Sequence, residues 1–169
     1  KGDEHRSVPA TRAAVDKALT LKSDHVRANV LLGRLLASEM DKKGDYSEAS
    51  WRAVRKPIAL ANRTNPDDPL PLFEFFQSYV DQGKQPPTIA LQGLAQAFSL
   101  EPENVTIRMN HAFALANTGD FDAATNLAKT IAFDPHDRGS GQNLLDQIEA
   151  MRKRGEDRST TDADVATQD

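Results

Sequence analysis

Apolar residues recur along most of the chain at intervals of three and four positions, the spacing that places them on one face of an α-helix. Ala and Leu are abundant and aromatic residues are few, which favours helices over a β-sheet. The stripes predict helices over about 7–22, 24–40, 46–64, 69–82, 86–100, 104–117, 121–133 and 140–154. The predicted fold class is therefore all-α.

The predicted helices are joined in a recurring order. Gly-centred turns at Gly44, Gly83 and Gly119 each lie between two helices, and each pair closes on Asn65-Pro66, Glu101-Pro102 or Asp134-Pro135. The glycines are 39 and 36 residues apart, and the prolines 36 and 33. A repeat of about 34 residues made of two helices is typical of a helical solenoid, in which each unit buries its apolar face against its neighbours.

Polar residues and prolines predict where helices start or are interrupted. We expect Asp24 to cap the second helix, and the pair Asp67-Asp68 to cap the fourth. Gly139-Ser140-Gly141 is predicted to be a short loop in which Ser140 caps the last helix. Because proline removes a backbone hydrogen bond and clashes with the preceding turn, we expect a kink or break near Arg55–Pro57.

The distribution of charge divides the chain into three parts. Residues 155–169 hold five acids and one base, which accounts for the whole net charge of −4 and leaves residues 1–154 neutral. We predict a flexible lead over 1–7, a repeat domain over 8–154 with about three helix pairs plus end helices, and a disordered acidic tail over 155–169. A neutral body gives no general attraction to nucleic acid. No stretch approaches the ~20 apolar residues needed to span a bilayer, so we expect no membrane insertion.

The repeats resemble the tetratricopeptide repeat family over roughly residues 10–136. The family pattern has a small residue in the first helix, a Gly-Asp-Tyr-like turn, alanines in the second helix and a closing proline. The residues that match this pattern are Gly33, Leu36, Gly44, Tyr46, Ala49, Ala61 and Pro66 in the first repeat. They are Tyr79, Gly83, Ala90, Leu94, Ala97 and Pro102 in the second repeat, and Ala112, Leu115, Gly119, Asp120, Phe121, Ala124 and Pro135 in the third. Extra residues before Gly44, at Pro57 and at Gln85-Pro86-Pro87 mark the repeats as degenerate.

The resemblance implies a right-handed superhelical solenoid of antiparallel helix pairs with a C-terminal capping helix. It also implies that the first helix of each pair lines a concave groove that holds a partner. The residues placed there by the family pattern are Arg27, Val30, Arg34, Phe73, Glu74, Gln77, Thr106, Met109, Asn110, Phe113 and Asn117. For Phe73, Met109 and Phe113, packing between helices is an alternative to lining the groove, and the sequence favours neither. The carboxylate clamp of some family members is not expected, because only Asn110 fits it.

The sequence offers no pattern for catalysis or for a cofactor. There is no cysteine, and the four histidines (His5, His25, His111 and His136) lack the spacing of a metal site. We therefore expect a non-catalytic scaffold that binds a peptide or protein partner, with no catalytic residue, metal or cofactor. Two alternatives stay open. One is an accessory repeat domain of a larger bacterial, peptidase-like enzyme whose active site lies upstream. The other is self-association as a homo-oligomer through an exposed N-terminal repeat face.

The start of the chain bears on whether it is part of a longer protein. The chain does not begin with Met and its pattern begins in mid-repeat, so we expect the repeat region of a longer protein. The lack of cysteine is compatible with a cytosolic, periplasmic or extracellular location and does not choose among them.

Overall fold

The computed structural model describes residues 4–133 and 138–166, and the side-chain surroundings of residues 10–133 and 139–155. Within these ranges the chain forms eight α-helices and no strand, so the predicted all-α class is confirmed. The helices are α1 (Glu4–Leu21), α2 (Val26–Lys43), α3 (Glu48–Thr64), α4 (Pro69–Asp81), α5 (Thr88–Leu100), α6 (Val105–Asn117), α7 (Phe121–Ala132) and α8 (Arg138–Ala166).

Backbone contacts divide the chain into two compact units. Unit 1 spans Lys1–Leu100 and contains α1 to α5, and unit 2 spans Glu101–Asp169 and contains α6 to α8. In unit 1, α2 packs against α1, α3 and α4, while α4 packs against α3 and α5. In unit 2, α7 packs against both α6 and α8, and α6 also contacts α8. The single repeat domain over 8–154 stays a prediction.

The Gly-centred turns lie where the sequence predicts them. Gly44, Gly83 and Gly119 have φ angles of 64°, 72° and 89°, a region of backbone conformation that glycine adopts readily. Gly44 ends α2 in the left-handed conformation, and its N–H donates to the carbonyl of Asp41 at 3.0 Å. These residues end the first helix of each predicted pair and so fix where the chain reverses.

Two of the predicted helix caps are wrong. His25, not Asp24, caps α2: its backbone is extended, and its Nδ1 accepts from the N–H of Ala28 at 3.3 Å. Ser140 lies inside α8, because that helix already begins at Arg138. The cap of α4 is confirmed, since Asp68 accepts from the N–H of Leu70 at 3.0 Å.

The two ends of the chain and Pro57 also differ from expectation. We expected a kink or a break near Pro57; helix α3 continues through this buried residue, so a break is wrong. Helix α1 already begins at Glu4, within the lead that was expected to be flexible, and α8 extends beyond Gly155 to Ala166. Adding a turn to an existing helix avoids the cost of nucleation, which allows α8 to continue into the acidic segment. The closing pair Asp134-Pro135 and residues 167–169 lie outside the described residues.

Each unit has its own apolar core. In unit 1, Trp51, Val54 and Ile58 of α3 are buried against α2 and α4. In unit 2 the buried residues are mainly small: Ala112, Ala116, Ala124, Ala128, Ile131, Leu144 and Ile148. In both cores a glycine allows two helices to approach. An ideal Cβ added to Gly33 would lie 2.5 Å from Cγ1 of Ile58, and one added to Gly141 would lie 2.2 Å from the backbone N of Ala132.

Candidate functional site

A concave groove of about 540 Å³ lies in unit 1 between α2 and α4, with α3 as its floor. We refer to it as the α2–α4 groove. Its lining residues are Gly33, Arg34, Ala37, Ser38 and Asp41 from α2, Trp51, Val54 and Ile58 from α3, and Glu74, Gln77, Ser78 and Asp81 from α4. The groove thus has an apolar floor and two polar walls.

Helical periodicity explains why these polar side chains share a face. Arg34, Ser38 and Asp41 are four and three residues apart on α2, and Glu74, Ser78 and Asp81 repeat the same spacing on α4. Positions i, i+4 and i+7 lie one above another along a helix. Two such rows face each other across the groove. Each row extends about 10 Å at the rise of an α-helix.

The floor is held by the only tryptophan of the chain. Trp51 is fully buried, and its indole N–H donates to the carbonyl of Asp45 at 2.9 Å. Gly33 brings α2 close to this floor, because a side chain there would collide with Ile58. Gly33 thus sets the α2 wall close to the floor of the groove.

An ion pair joins the two walls. Nη2 of Arg34 on α2 donates to Oε1 of Glu74 on α4. The Glu74 side chain is 8% exposed and that of Arg34 is 50% exposed, so the carboxylate is the more deeply placed partner. This hydrogen bond raises the pKa of Arg34, and desolvation by burial opposes it. The pair neutralises Glu74 and ties α2 to α4.

Two further carboxylates lie in the groove. Asp41 accepts from the hydroxyl of Tyr46 at 2.7 Å, which raises the pKa of Tyr46. Asp81 accepts from the side-chain amide of Gln77 at 2.8 Å. Burial raises the pKa of Asp81; the Gln77 hydrogen bond lowers it, and the negative charges of Glu74 and Asp41 raise it further. Asp81 is thus an exposed residue with other carboxylates nearby.

Behind the groove, a buried arginine braces the wall formed by α4. Nε of Arg55 donates to Oγ of Ser78 at 3.0 Å, and its Nη2 donates to the Ser78 carbonyl at 3.2 Å and to the side chain of Gln82. The guanidinium lies 3.6 Å from the ring centroid of Tyr79, a cation–π contact. Burial lowers the pKa of Arg55, and the charge of Glu48 opposes this. The arginine therefore fixes α4 against α3.

The structure brings only some of the predicted site residues together. Arg34, Glu74 and Gln77 line the α2–α4 groove. Val30 is a correction: it is 1% exposed and lies in the core, because α2 packs against three other helices. Arg27 is exposed and Phe73 is half-buried, and neither lines the groove.

The predicted residues of α6 are placed in unit 2. Met109, Asn110 and Phe113 line a recess of about 370 Å³ together with Ser140, Asn143, Leu144 and Gln147 of α8. We refer to it as the α6–α8 recess. Phe113 is 40% exposed, whereas Met109 packs against the core of the unit. Thr106 and Asn117 are exposed on α6 outside this recess.

Four polar residues of the groove are not among those predicted from the sequence: Ser38, Asp41, Ser78 and Asp81. Their signal is the i, i+4, i+7 spacing from Arg34 and from Glu74. Trp51 and Val54 could not be found in this way, because they belong to the second helix of the pair.

Comparison with models of known protein families gives no match to this chain, and comparison with curated proteins gives none either. Among the described helices, none has the length and apolar character needed to cross a membrane. Within the described residues, no three His, Cys, Asp or Glu side chains are grouped so that they could hold a metal ion. The groove must therefore be interpreted from its own geometry and charge.

Proposed function

We propose that this chain is a non-catalytic binding module that holds a peptide segment of a partner protein in the α2–α4 groove. The observation that carries the proposal is the pair of facing polar rows above a buried apolar floor. A row of about 10 Å matches about three residues of an extended chain at 3.3 Å per residue. Such a groove can hold alternate side chains of a peptide while its polar walls orient the backbone.

Tetratricopeptide-type architecture, a right-handed superhelical solenoid, belongs to the same proposal. Three features support it: the helix pairs, the left-handed turn glycines, and the close approach of α2 to α3 at Gly33, the small residue of the family pattern. In such an array the first helices of successive pairs line the concave side. The facing of α2 and α4 across the groove agrees with that arrangement.

Binding rather than catalysis is favoured by how the polar groups of the groove are engaged. The hydroxyl of Ser78 donates to the carbonyl of Phe75 at 2.7 Å and accepts from Arg55, so no base is placed to activate it. Arg34 and Glu74 neutralise one another. These paired groups shape the groove, and the other polar side chains of its walls are left to contact a ligand.

Selection from a random peptide library on the immobilised full chain tests this function. Ser38→Trp would fill the groove from its exposed wall, and Ser99→Trp makes the same change at an exposed position of α5. We expect selected peptides to bind the wild type and the Ser99→Trp variant alike, and to lose about tenfold or more in affinity for Ser38→Trp. If selection yields no peptide whose binding depends on Ser38, the groove is not the binding site.

A further inference from the structure

The α2–α4 groove carries an unbalanced charge. Its lining includes three carboxylates, Asp41, Glu74 and Asp81, and one cation, Arg34, which leaves two net negative charges. Arg34 is engaged by Glu74. Within the part of the chain that the structure describes, Asp41 and Asp81 have no Lys, Arg or His within ion-pair distance. The excess negative charge therefore belongs to these two residues.

Both carboxylates retain room for another donor. Asp41 accepts from Tyr46, and Asp81 accepts from Gln77. An ionised carboxylate offers about four lone-pair positions, so each has acceptor capacity left. The two existing hydrogen bonds orient the carboxylates without neutralising them.

The backbone adds to the negative potential. Asp81 is the last residue of α4, and Asp41 lies in the last turn of α2. The aligned peptide dipoles of a helix give its carboxyl end a partial negative charge, which favours a cation nearby. The lysines of the last turn of α2, Lys42 and Lys43, are exposed and do not line the groove. Two helix ends and two carboxylates thus act in the same direction.

The shape of the groove limits which cation fits. The described acids are not grouped as a metal site requires, so a compact ion has no set of ligands. A long aliphatic stem would instead find apolar contacts on Ala37 and the floor of Trp51 and Val54. A charged group at the end of such a stem would lie between the two walls.

We infer that the α2–α4 groove recognises a peptide through one Arg or Lys side chain, whose charged end is held between Asp41 and Asp81. This inference rests on the proposed function and names its ligand class.

The test is a titration of the ¹⁵N-labelled full chain with a matched pair of peptides. The first is acetyl-Gly-Ala-Ala-Arg-Ala-Ala-Gly-amide, and the second replaces Arg by citrulline, which has nearly the same shape and no charge. Trp51 is the only tryptophan of the chain, so its indole N–H signal needs no further assignment and reports on the groove floor. We expect the Arg peptide to shift this signal and to bind about tenfold more tightly than its citrulline twin.

A charge-matched pair of variants completes the test. Asp41→Asn/Asp81→Asn removes the two groove charges, and Asp24→Asn/Asp67→Asn removes two charges from exposed turns of the same unit. We expect the preference for Arg over citrulline to fall below about twofold in the first variant and to persist in the second. Equal shifts from both peptides, or a preference that survives Asp41→Asn/Asp81→Asn, would overturn the inference. Library peptides that depend on Ser38 but carry no fixed basic residue would also overturn it while leaving the proposed function intact.

Discussion

The α2–α4 groove and the α6–α8 recess differ in chemistry, although a first helix of a predicted pair contributes to each. The α2–α4 groove of unit 1 contains three carboxylates and a guanidinium. The described residues that line the α6–α8 recess of unit 2 are amides, a hydroxyl and apolar side chains, and none of these is ionisable. A repeated backbone pattern therefore does not repeat a binding chemistry, because the outward side chains of each helix set the charge of the surface.

The helices around the two sites are also held together differently. In unit 1, Gly33 faces the side chain of Ile58, whereas in unit 2 Gly141 faces the backbone of α7 at Ala132. A side chain can shift by a change of rotamer, but a helix backbone has no comparable freedom. The walls of unit 2 should therefore tolerate added volume less well than those of unit 1.

The largest expected effect comes from Gly141→Ala. The new Cβ would collide with backbone atoms at 2.2 Å and 2.4 Å, so we expect a loss of about 3 kcal/mol in the free energy of unfolding. Gly33→Ala should cost only about 1 kcal/mol, since Ile58 can adjust and Ala gains helix propensity. Urea unfolding followed by far-UV circular dichroism measures both. If Gly33→Ala proves the more destabilising change, the contrast between the two contacts is wrong.

A second contrast concerns the buried arginines of the two units. Arg55 in unit 1 is held by Ser78, Gln82 and the ring of Tyr79. Arg108 in unit 2 donates to the carbonyl of Pro102 at 3.0 Å and pairs with Glu103, whose side chain is 94% exposed.

Replacement of each arginine by Met keeps an apolar stem and removes the donors. We expect Arg55→Met to cost about 2 kcal/mol, because it leaves several buried acceptors unpaired, and Arg108→Met to cost about 1 kcal/mol. Thermal unfolding of the two variants in the same buffer tests the ranking. Equal losses of stability in the two variants would show that the contacts around Arg55 do not make it contribute more than Arg108.

The smallest expected effect concerns Asp81. Its pKa is raised in the folded chain, mainly by burial, so the folded state holds the proton at a pH where the unfolded state has lost it. Stability therefore falls as the pH rises from the ordinary value of 3.8 through the raised pKa, and the loss is complete above it.

Asp81→Asn removes this loss of stability at higher pH. Because Asp81 is exposed, solvent screens its charge, and we expect the variant to be more stable than the wild type by less than about 0.5 kcal/mol at neutral pH, with the difference vanishing below the ordinary pKa of the carboxyl group. Urea midpoints measured across the acidic range give this difference, and Asp67→Asn in the α3–α4 turn serves as the charge-matched control. A variant that is less stable at neutral pH would show that the Gln77 hydrogen bond outweighs the desolvation of Asp81.

The sequence predicted the helices and turns well because both depend on local spacing. The positive φ angles at Gly44, Gly83 and Gly119 confirm the turns. Capping was less predictable, because His25 and Asp24 are neighbours and only the backbone conformation decides which of them precedes the first helical residue. The continuous α3 shows likewise that the packing of a buried Pro57 can override its tendency to break a helix.

The candidate site was predictable only in part, because burial depends on how many helices surround a given face. Val30 and Arg34 are one helical turn apart, yet the first is buried and the second lines the groove. Periodicity assigns both to one face and cannot tell how far a neighbouring helix covers it. Contacts such as that of Gly141 with Ala132 join residues whose packing leaves no periodic signal, so they emerge only from the structure.

The turn at Gly44 has a further consequence. Its φ and ψ of 64° and 25° are left-handed, and an ideal Cβ there would have no atom within 4 Å. Space is thus available for a side chain, and what excludes one is the chirality of natural amino acids. A D-alanine introduced by chemical synthesis would adopt this conformation without strain and would restrict the unfolded chain more than glycine does. At the reversal between α2 and α3, an L side chain is therefore excluded by its chirality and not by a lack of space.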